Sequence, residues 1–385
     1  MTHTPSQGFA TRAVHAGQEP DASTGSIIPP IHQTSTFVQD GVGGLRGGYE
    51  YGRSGNPTRT ALEVQVAALE QGDDAIAFAS GLAAEDALLR AVLQPGDRVV
   101  LGDDAYGGTY RLLSRIHEPL GVRLDTVDLT DPAAVEAAFA RPVRILWVET
   151  PTNPLMKVVD IAALAAAGHE HGALVVVDNT FASPALQQPL RLGADVVVHS
   201  ATKYLGGHSD VLGGVLVMSD EGLAERVRFL QFAAGAVLAP FEAWLLTRGI
   251  KMLELRMRRH TESATAIATQ LAAHPAVERV YYPGLSDHPG HEIALKQMSG
   301  AGGMLSVALA GGERAARALA EGTRIFALAE SLGGVESLIG YPSLMTHASV
   351  RGTPLAVPEN VVRLSVGIEA LADLQEDLAD ALGRV

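Results

Sequence analysis

There is not one cysteine in the 385 residues, so disulfides, iron–sulfur ligation and a thiol nucleophile are excluded. That absence fits either redox environment and names no compartment. Positive charge is scarce too: 29 lysines and arginines stand against 43 aspartates and glutamates, a formal net charge of −14. The short basic run Arg256-Met257-Arg258-Arg259 falls in a helix-like segment and is too small to make a nucleic-acid groove. No nucleic-acid partner is expected. Apolar runs are strand-length and none reaches a membrane span. The start Met1-Thr2-His3-Thr4-Pro5-Ser6-Gln7-Gly8 lacks the basic-then-apolar order of a secretory signal, so the expectation is a cytoplasmic protein without membrane contact. Missing as well are a Gly-x-Gly-x-x-Gly fingerprint at the first strand and a Gly-x-x-x-x-Gly-Lys-Ser/Thr loop. A nucleotide phosphate therefore lacks its usual support.

What is present is a long chain with room for two or three domains. Residues 1–57 carry no sustained helical or strand period, and five of the eight positions from Gly41 to Gly48 are glycine. Such an arm needs a surface to lie on, and a partner subunit is one candidate. From Thr58 the pattern changes. Leu62, Val66 and Leu69 form a helical stripe that stops near Gly72. Short β-branched runs then alternate with alanine-rich helical stretches: strands are predicted at 74–79, 98–101, 122–127, 145–149, 174–178, 195–199 and 214–218, with helices at 82–93, 132–140 and 159–168. This is βα repetition with the apolar strands of a parallel sheet covered on both faces. Residues 241–271 read as mostly helical, and strands at 304–309 and 362–366 with a helix at 371–382 follow. The expected organisation is an arm over 1–57, a large domain over 58–250 and a C-terminal domain over 251–385.

Ligands of open α/β sheets collect beyond the carboxyl ends of the strands, and the conspicuous polar residues recur there. Lys203 follows an apolar strand and precedes paired glycines in His199-Ser200-Ala201-Thr202-Lys203-Tyr204-Leu205-Gly206-Gly207. An ammonium there is either snorkelling to water or held dry, and a dry one becomes a nucleophilic amine. Ser80-Gly81 opens a helix whose free amides could receive a phosphate, although such pairs usually only cap and turn. Asp178 ends a strand of four apolar residues and demands a partner: a protonated ring nitrogen, a metal or an arginine. Asn153 sits at an Asn-Pro turn, and Tyr106 could cover a flat ligand or simply pack. Taken together, a lysine for a Schiff base, an acid for a pyridine nitrogen, an aromatic cover, a helix-end cradle and Arg53 for phosphate charge match the requirements of pyridoxal phosphate. A sugar- or amino-acid-binding module, a noncatalytic assembly subunit, and a metal hydrolase drawn from Asp178, His199, His208 and Asp210 are the rival readings.

Eight ordered stretches carry a resemblance: YEYGRSGNPTR at 49–59, FASGLAA at 78–84, YGGTYR at 106–111, ETPTNP at 149–154, VDNTFASP at 177–184, HSATKYLGGHSD at 199–210, ESLGGVESL at 330–338 and RLSVGIE at 363–369. Over about residues 11–382 the chain resembles the pyridoxal-phosphate transsulfuration family. The resemblance implies an α/β fold of the aspartate-aminotransferase type (fold type I), with a mainly parallel central sheet and a smaller α+β C-terminal domain. It implies that Lys203 anchors pyridoxal 5′-phosphate and shuttles protons, Asp178 pairs with the pyridinium, and Tyr106 stacks on the ring. Gly81 and Leu82 would offer N–H groups to the phosphate, helped by Ser200 and Thr202, with Tyr51 and Arg53 reaching in from the neighbouring subunit. That implies a homotetramer built from catalytic dimers. Asn153 would lie near the cofactor, and Arg363, beside Ser331, would receive the carboxylate of a small amino-acid substrate; no metal is implied.

Within the family, Gly108 replaces the cysteine typical of methionine γ-lyases. Glu330, Arg111 and Glu50 resemble the charges that meet the distal end of cystathionine, which favours cystathionine over methionine. The segment Gly235-Ala236-Val237-Leu238-Ala239-Pro240-Phe241-Glu242 resembles the lyase form, so the expectation is a cystathionine γ-lyase, a carbon–sulfur lyase giving cysteine, 2-oxobutanoate and ammonia. The alternative is a γ-synthase that joins cysteine to an O-acylated homoserine. Both outcomes branch from one vinylglycine intermediate.

Overall fold

The computed structural model describes residues 7–353 and 355–385. Seven strands build the large sheet: β1 (Asp74–Phe78), β2 (Arg98–Gly102), β3 (Arg123–Val127), β4 (Ile145–Glu149), β5 (Leu174–Asp178), β6 (Val196–Ser200) and β7 (Gly214–Met218). Their order is β1-β7-β6-β5-β4-β2-β3, and β7 runs against both of its neighbours while the remaining pairs are parallel. β2, β4 and β7 are buried at every position, which is why their sequences are continuous apolar runs rather than alternating ones. Phe78, Leu88, Trp147, Val198 and Leu216 pack one face of the sheet, and Val100, Leu146, Val148 and Val177 pack against the helices Pro132–Phe139 and Ile161–Glu170 on the other.

Element ends follow local chemistry. The helix expected over 159–168 spans Ile161–Glu170 because the Asp160 carboxylate accepts the Ala163 N–H at 3.0 Å and fixes the start there. The helical stretch expected over 241–271 is two helices, Pro240–Ile250 and Leu253–Ala272, separated at Lys251-Met252. The arm holds a helix, Phe9–His15, that the pattern did not reveal; seven residues are too few to show a period. Its Ala13 is buried, and the Gln65 side chain donates to the Ala13 carbonyl at 2.7 Å.

A second sheet carries β8 (Val277–Tyr281), β9 (Met304–Leu309), β10 (Ala327–Leu328), β11 (Leu338–Gly340) and β12 (Val361–Ser365) in the order β10-β11-β12-β9-β8. Its pairs are antiparallel except for β10 with β11. Helices Gly312–Gly322 and Leu371–Leu382 cover it through Leu319, Leu374 and Leu378. The whole is an α/β architecture with a mostly parallel sheet and a smaller α+β unit. Helix Leu253–Ala272 touches both cores, with Leu253 and Met257 against the first and Ile267 and Leu271 in the second. No helix among the described residues is long and apolar enough to cross a membrane.

The turn before β10 is tied by one buried carboxylate. Asp377 accepts N–H groups from Arg324, Ile325 and Phe326 at 2.7, 2.8 and 3.1 Å. Asp377→Ala strands three amides, and a loss of about 3 kcal/mol is expected. Denaturant unfolding checks this against Asp380→Ala, whose carboxylate is exposed and whose removal should cost much less.

Candidate active site

The carboxyl ends of β1, β4, β5 and β6 converge on a cavity of about 220 Å³ that the C-terminal unit closes with Glu330, Ser331, Leu332, Thr346 and Arg363. Lys203, Tyr106, Gly81, Leu82, Asn153, Asp178, Ser200 and Thr202 line the same cavity. Seven of the eight stretches singled out in the sequence are thereby brought together.

Lys203 sits on the turn after β6, where its N–H reaches the Ser200 carbonyl at 3.1 Å. Its Nζ donates to Ser331 Oγ at 2.6 Å. Burial and then the Arg363 cation push this amine down to about 8, so the dry alternative describes it and the snorkelling one does not. Arg363 is 3% exposed, donating through Nη1 to Asn153 Oδ1 and through Nη2 to the Ser331 carbonyl, both at 2.9 Å. Burial pushes its guanidinium down to about 10. The surface ion pair that an isolated arginine would suggest is absent among the described residues. Buried His347, pushed down to about 4 by burial and by Arg363, sits 3.0 Å from the Asn153 carbonyl and fixes that turn.

Asp178 is buried, with its Oδ1 accepting the Thr180 N–H at 2.9 Å, and burial raises its pKa. Parallel register sets Glu149 directly beside it. Glu149 accepts the Tyr106 N–H at 2.7 Å, yet burial, with Asp178 next, lifts it well above the usual carboxylate range. Glu85 is raised likewise by burial and Asp178. Glu85, Phe181, Leu212 and Leu332 were missed in the sequence. Glu85 was findable, being a carboxylate placed three and four residues from Leu82, Leu88 and Leu89 on an otherwise apolar helix face.

Glycine is demanded at three places. A Cβ on Gly81 would come within 3.1 Å of Ser200, and one on Gly214 within 2.2 Å of the Ser80 carbonyl, so the helix start lies flat on the strand ends and its amides stay open. A Cβ on Gly108 would meet the Tyr106 ring at 2.3 Å, so with the ring where it stands only glycine fits. Burial also raises the Tyr106 phenol, keeping its proton in place at neutral pH.

Four expected residues stay outside this cavity. Arg53 donates to the Phe232 carbonyl at 2.8 Å with its guanidinium over the Phe232 and Tyr51 rings. Tyr51 and Glu50 are exposed, as is Arg111, whose charge reaches Tyr106 without lining the pocket. The metal rival finds no support. His199 is bound to Glu70 at 2.6 Å, His208 to the Gly206 carbonyl, and no metal-competent group of histidines and acids occurs among the described residues.

Comparison with known proteins decides the family. The profile of the Cys/Met metabolism PLP-dependent enzymes matches residues 10–383. The chain belongs to that family. A Mycobacterium tuberculosis relative named cystathionine gamma-synthase is 60% identical over 381 residues, covering 99% of this chain and 98% of that one. The crystal structure of metB from Corynebacterium glutamicum superposes with a TM-score of 0.98 at 51% identity, covering 99% of each chain. A cystathionine gamma synthase from Xanthomonas oryzae pv. oryzae, crystallised with cystathionine, gives 0.96 at 46% identity, covering 98% of each chain.

These likenesses overturn the γ-lyase expectation, for the Mycobacterium and Xanthomonas relatives carry the synthase name. The segment 235–242 misled because none of its residues lines the cavity, so it does not touch the chemistry it was used to judge. The cofactor is pyridoxal phosphate, and the residues fit it: an open-amide cradle at Gly81, a buried carboxylate with no cationic hydrogen-bond donor among the described residues, and a dry lysine amine.

Without cofactor, the Lys203 amine should titrate near its lowered value. Labelling of the apoenzyme by an amine reagent, followed by peptide mapping, should rise with pH through a midpoint of about 8. Arg363→Gln removes a cation that disfavours the ammonium, so the midpoint moves up toward the ordinary lysine range. A midpoint unmoved by that substitution would count against the coupling.

Proposed function

We propose that this enzyme is a cystathionine γ-synthase, replacing the acyloxy group of an O-acylated homoserine with the sulfur of cysteine. The observation that carries the reading is the bracketing of Ser331: Lys203 Nζ on its hydroxyl at 2.6 Å and Arg363 Nη2 on its carbonyl at 2.9 Å. A substrate carboxylate held by Arg363 then presents its Cα proton to the lysine amine. The choice of synthase is supported by the mycobacterial and Xanthomonas relatives.

Lys203 is the covalent anchor for the cofactor, Asp178 the partner of its ring nitrogen, and Tyr106 the cover of its ring. The Gly81 and Leu82 amides, with Ser200 and Thr202, receive its phosphate. Asn153 holds Arg363 and faces the cofactor. Tyr51 and Arg53, outside the cavity of their own chain, serve the site of a neighbouring subunit in a homotetramer of catalytic dimers. When bound, pyridoxal phosphate supplies an electron sink for charge developing at Cα and Cβ.

The chain's own groups move the protons. Lys203, freed as a neutral amine, carries one proton at a time: it takes the Cα proton, passes it to the electron sink that the bound cofactor would supply, and only then takes one from Cβ. The Cγ–O bond breaks and the acyl group leaves as a carboxylate. The thiolate of cysteine forms the Cγ–S bond, its proton balancing the departing acid, and Lys203 returns protons to Cβ and Cα. Tyr106, with its phenol kept protonated, hydrogen-bonds the leaving oxygen without giving up its proton. Glu330 and Arg111 at the mouth set the incoming cysteine by its ammonium and carboxylate, and Glu50 adds charge from the arm.

Supplied with an O-acylated homoserine and cysteine, the enzyme should form cystathionine much faster than it consumes cystathionine supplied alone. Faster release of 2-oxobutanoate from cystathionine would overturn the synthase reading. Glu330→Gln should raise KM for cysteine about tenfold, a change of about 1.4 kcal/mol, with a smaller effect on the homoserine ester. Steady-state kinetics with each substrate varied in turn reads the difference.

A further inference from the structure

A cleft of about 710 Å³ lies between the arm helix Phe9–His15, the turn 184–192 and the segment 296–299. Its lining is one-sided in charge. Arg12, Arg191 and Lys296 face it together with Gln71, Gln187, Gln188, Gln297 and Ser299, and no aspartate or glutamate lines it. That is unusual in a chain of formal charge −14, where a cation ordinarily finds a carboxylate.

Arg12 is the decisive residue. It is 7% exposed, and its Nε has no hydrogen-bond partner among the described residues. Nη1 donates to a backbone carbonyl, that of Gln7, at 2.5 Å. The guanidinium also feels Arg191, which adds to the effect of burial in disfavouring its charged form. Bringing a second arginine toward a buried one costs free energy unless something of opposite sign is shared between them. Of the three cations, Lys296 alone has a carboxylate among the described residues, donating to Asp160 Oδ2 at 2.8 Å outside the cleft. Guanidinium forks and side-chain amides are donors suited to planar or tetrahedral oxyanions, and bidentate contacts suit them best.

We propose that this cleft is a binding site for a small multivalent oxyanion, held between Arg12 and Arg191 with Gln188 and Ser299 as neutral donors. The ligand carries phosphoryl or several carboxylate groups and is separate from the substrate and the cofactor. Its site is walled by Gln187, whose amide donates to the Thr150 carbonyl and to Asn179 Oδ1, both at 3.0 Å, next to Glu149 and Asp178.

Titration calorimetry on the cofactor-loaded enzyme tests this, because loading fills the phosphate cradle of the active site. Inorganic phosphate and citrate are titrated separately at constant ionic strength, with chloride as the monovalent control. One anion per chain should bind, and Arg191→Gln should weaken it at least tenfold, with Arg12→Gln doing the same where that variant folds. Arg363→Lys should leave the affinity unchanged, and both cleft variants should keep wild-type kcat in the absence of added anion. Tighter phosphate assigns a phosphoryl ligand and tighter citrate a polycarboxylate. Equal displacement by chloride, affinity unchanged by Arg191→Gln, or an effect of the substitutions on subunit assembly alone would each overturn the site.

Discussion

Lys203 and Arg363 share one dry seam, and neither has an ion-pair partner there among the described residues. Everything else about the site follows from keeping two cations desolvated and close. The lysine amine is useful because burial and a neighbouring guanidinium disfavour its charge. The guanidinium is tolerable because Asn153 and the Ser331 carbonyl take two of its N–H donors. A carboxylate-bearing substrate supplies the missing negative charge and so is drawn to the one place where it can react.

The fold explains how such an arrangement is sustained. Lys203 and Asp178 leave the ends of fully covered strands, which place them rigidly. Arg363 comes from β12 in a different sheet, whose position depends on helix Leu253–Ala272 packing into both cores. The seam is thus assembled from two units, and the loop at Ser331 joins them. Ser331 holds φ at 93°, a backbone conformation that side-chain-bearing residues seldom adopt. Such a residue stays put only when its surroundings over-determine it, and here the lysine, the arginine and the glycines after it all press on that loop.

Much of this was readable from residues alone. The β-branched runs ending in Asp178 and Ser200, and the glycines at 81, 206 and 207, mark strand ends and close approaches because each has a local physical signature. The convergence of Lys203, Asp178, Tyr106 and the Ser80-Gly81 helix start was readable as a chemical set, whereas Arg363 entered only through the family resemblance. What was hidden depends on tertiary contact. Glu85 became significant only when β4 and β5 set two more acids beside it. The start at Ile161 turned on one capping carboxylate, and the short arm helix on burial against Pro57–Glu70. The choice between elimination and replacement was misread from a segment that does not line the cavity, because both reactions require the same lysine, the same carboxylate site and the same cofactor.

Proton exchange at the substrate carbons tests the central claim most directly. Cystathionine formed in heavy water from an O-acylated homoserine and cysteine should carry deuterium at Cα and at the β-carbon of the homoserine-derived half, since one lysine takes and returns both protons. Product labelled at Cα alone, with the β-carbon fully protiated, would mean that sulfur displaces the acyl group directly and would contradict this account.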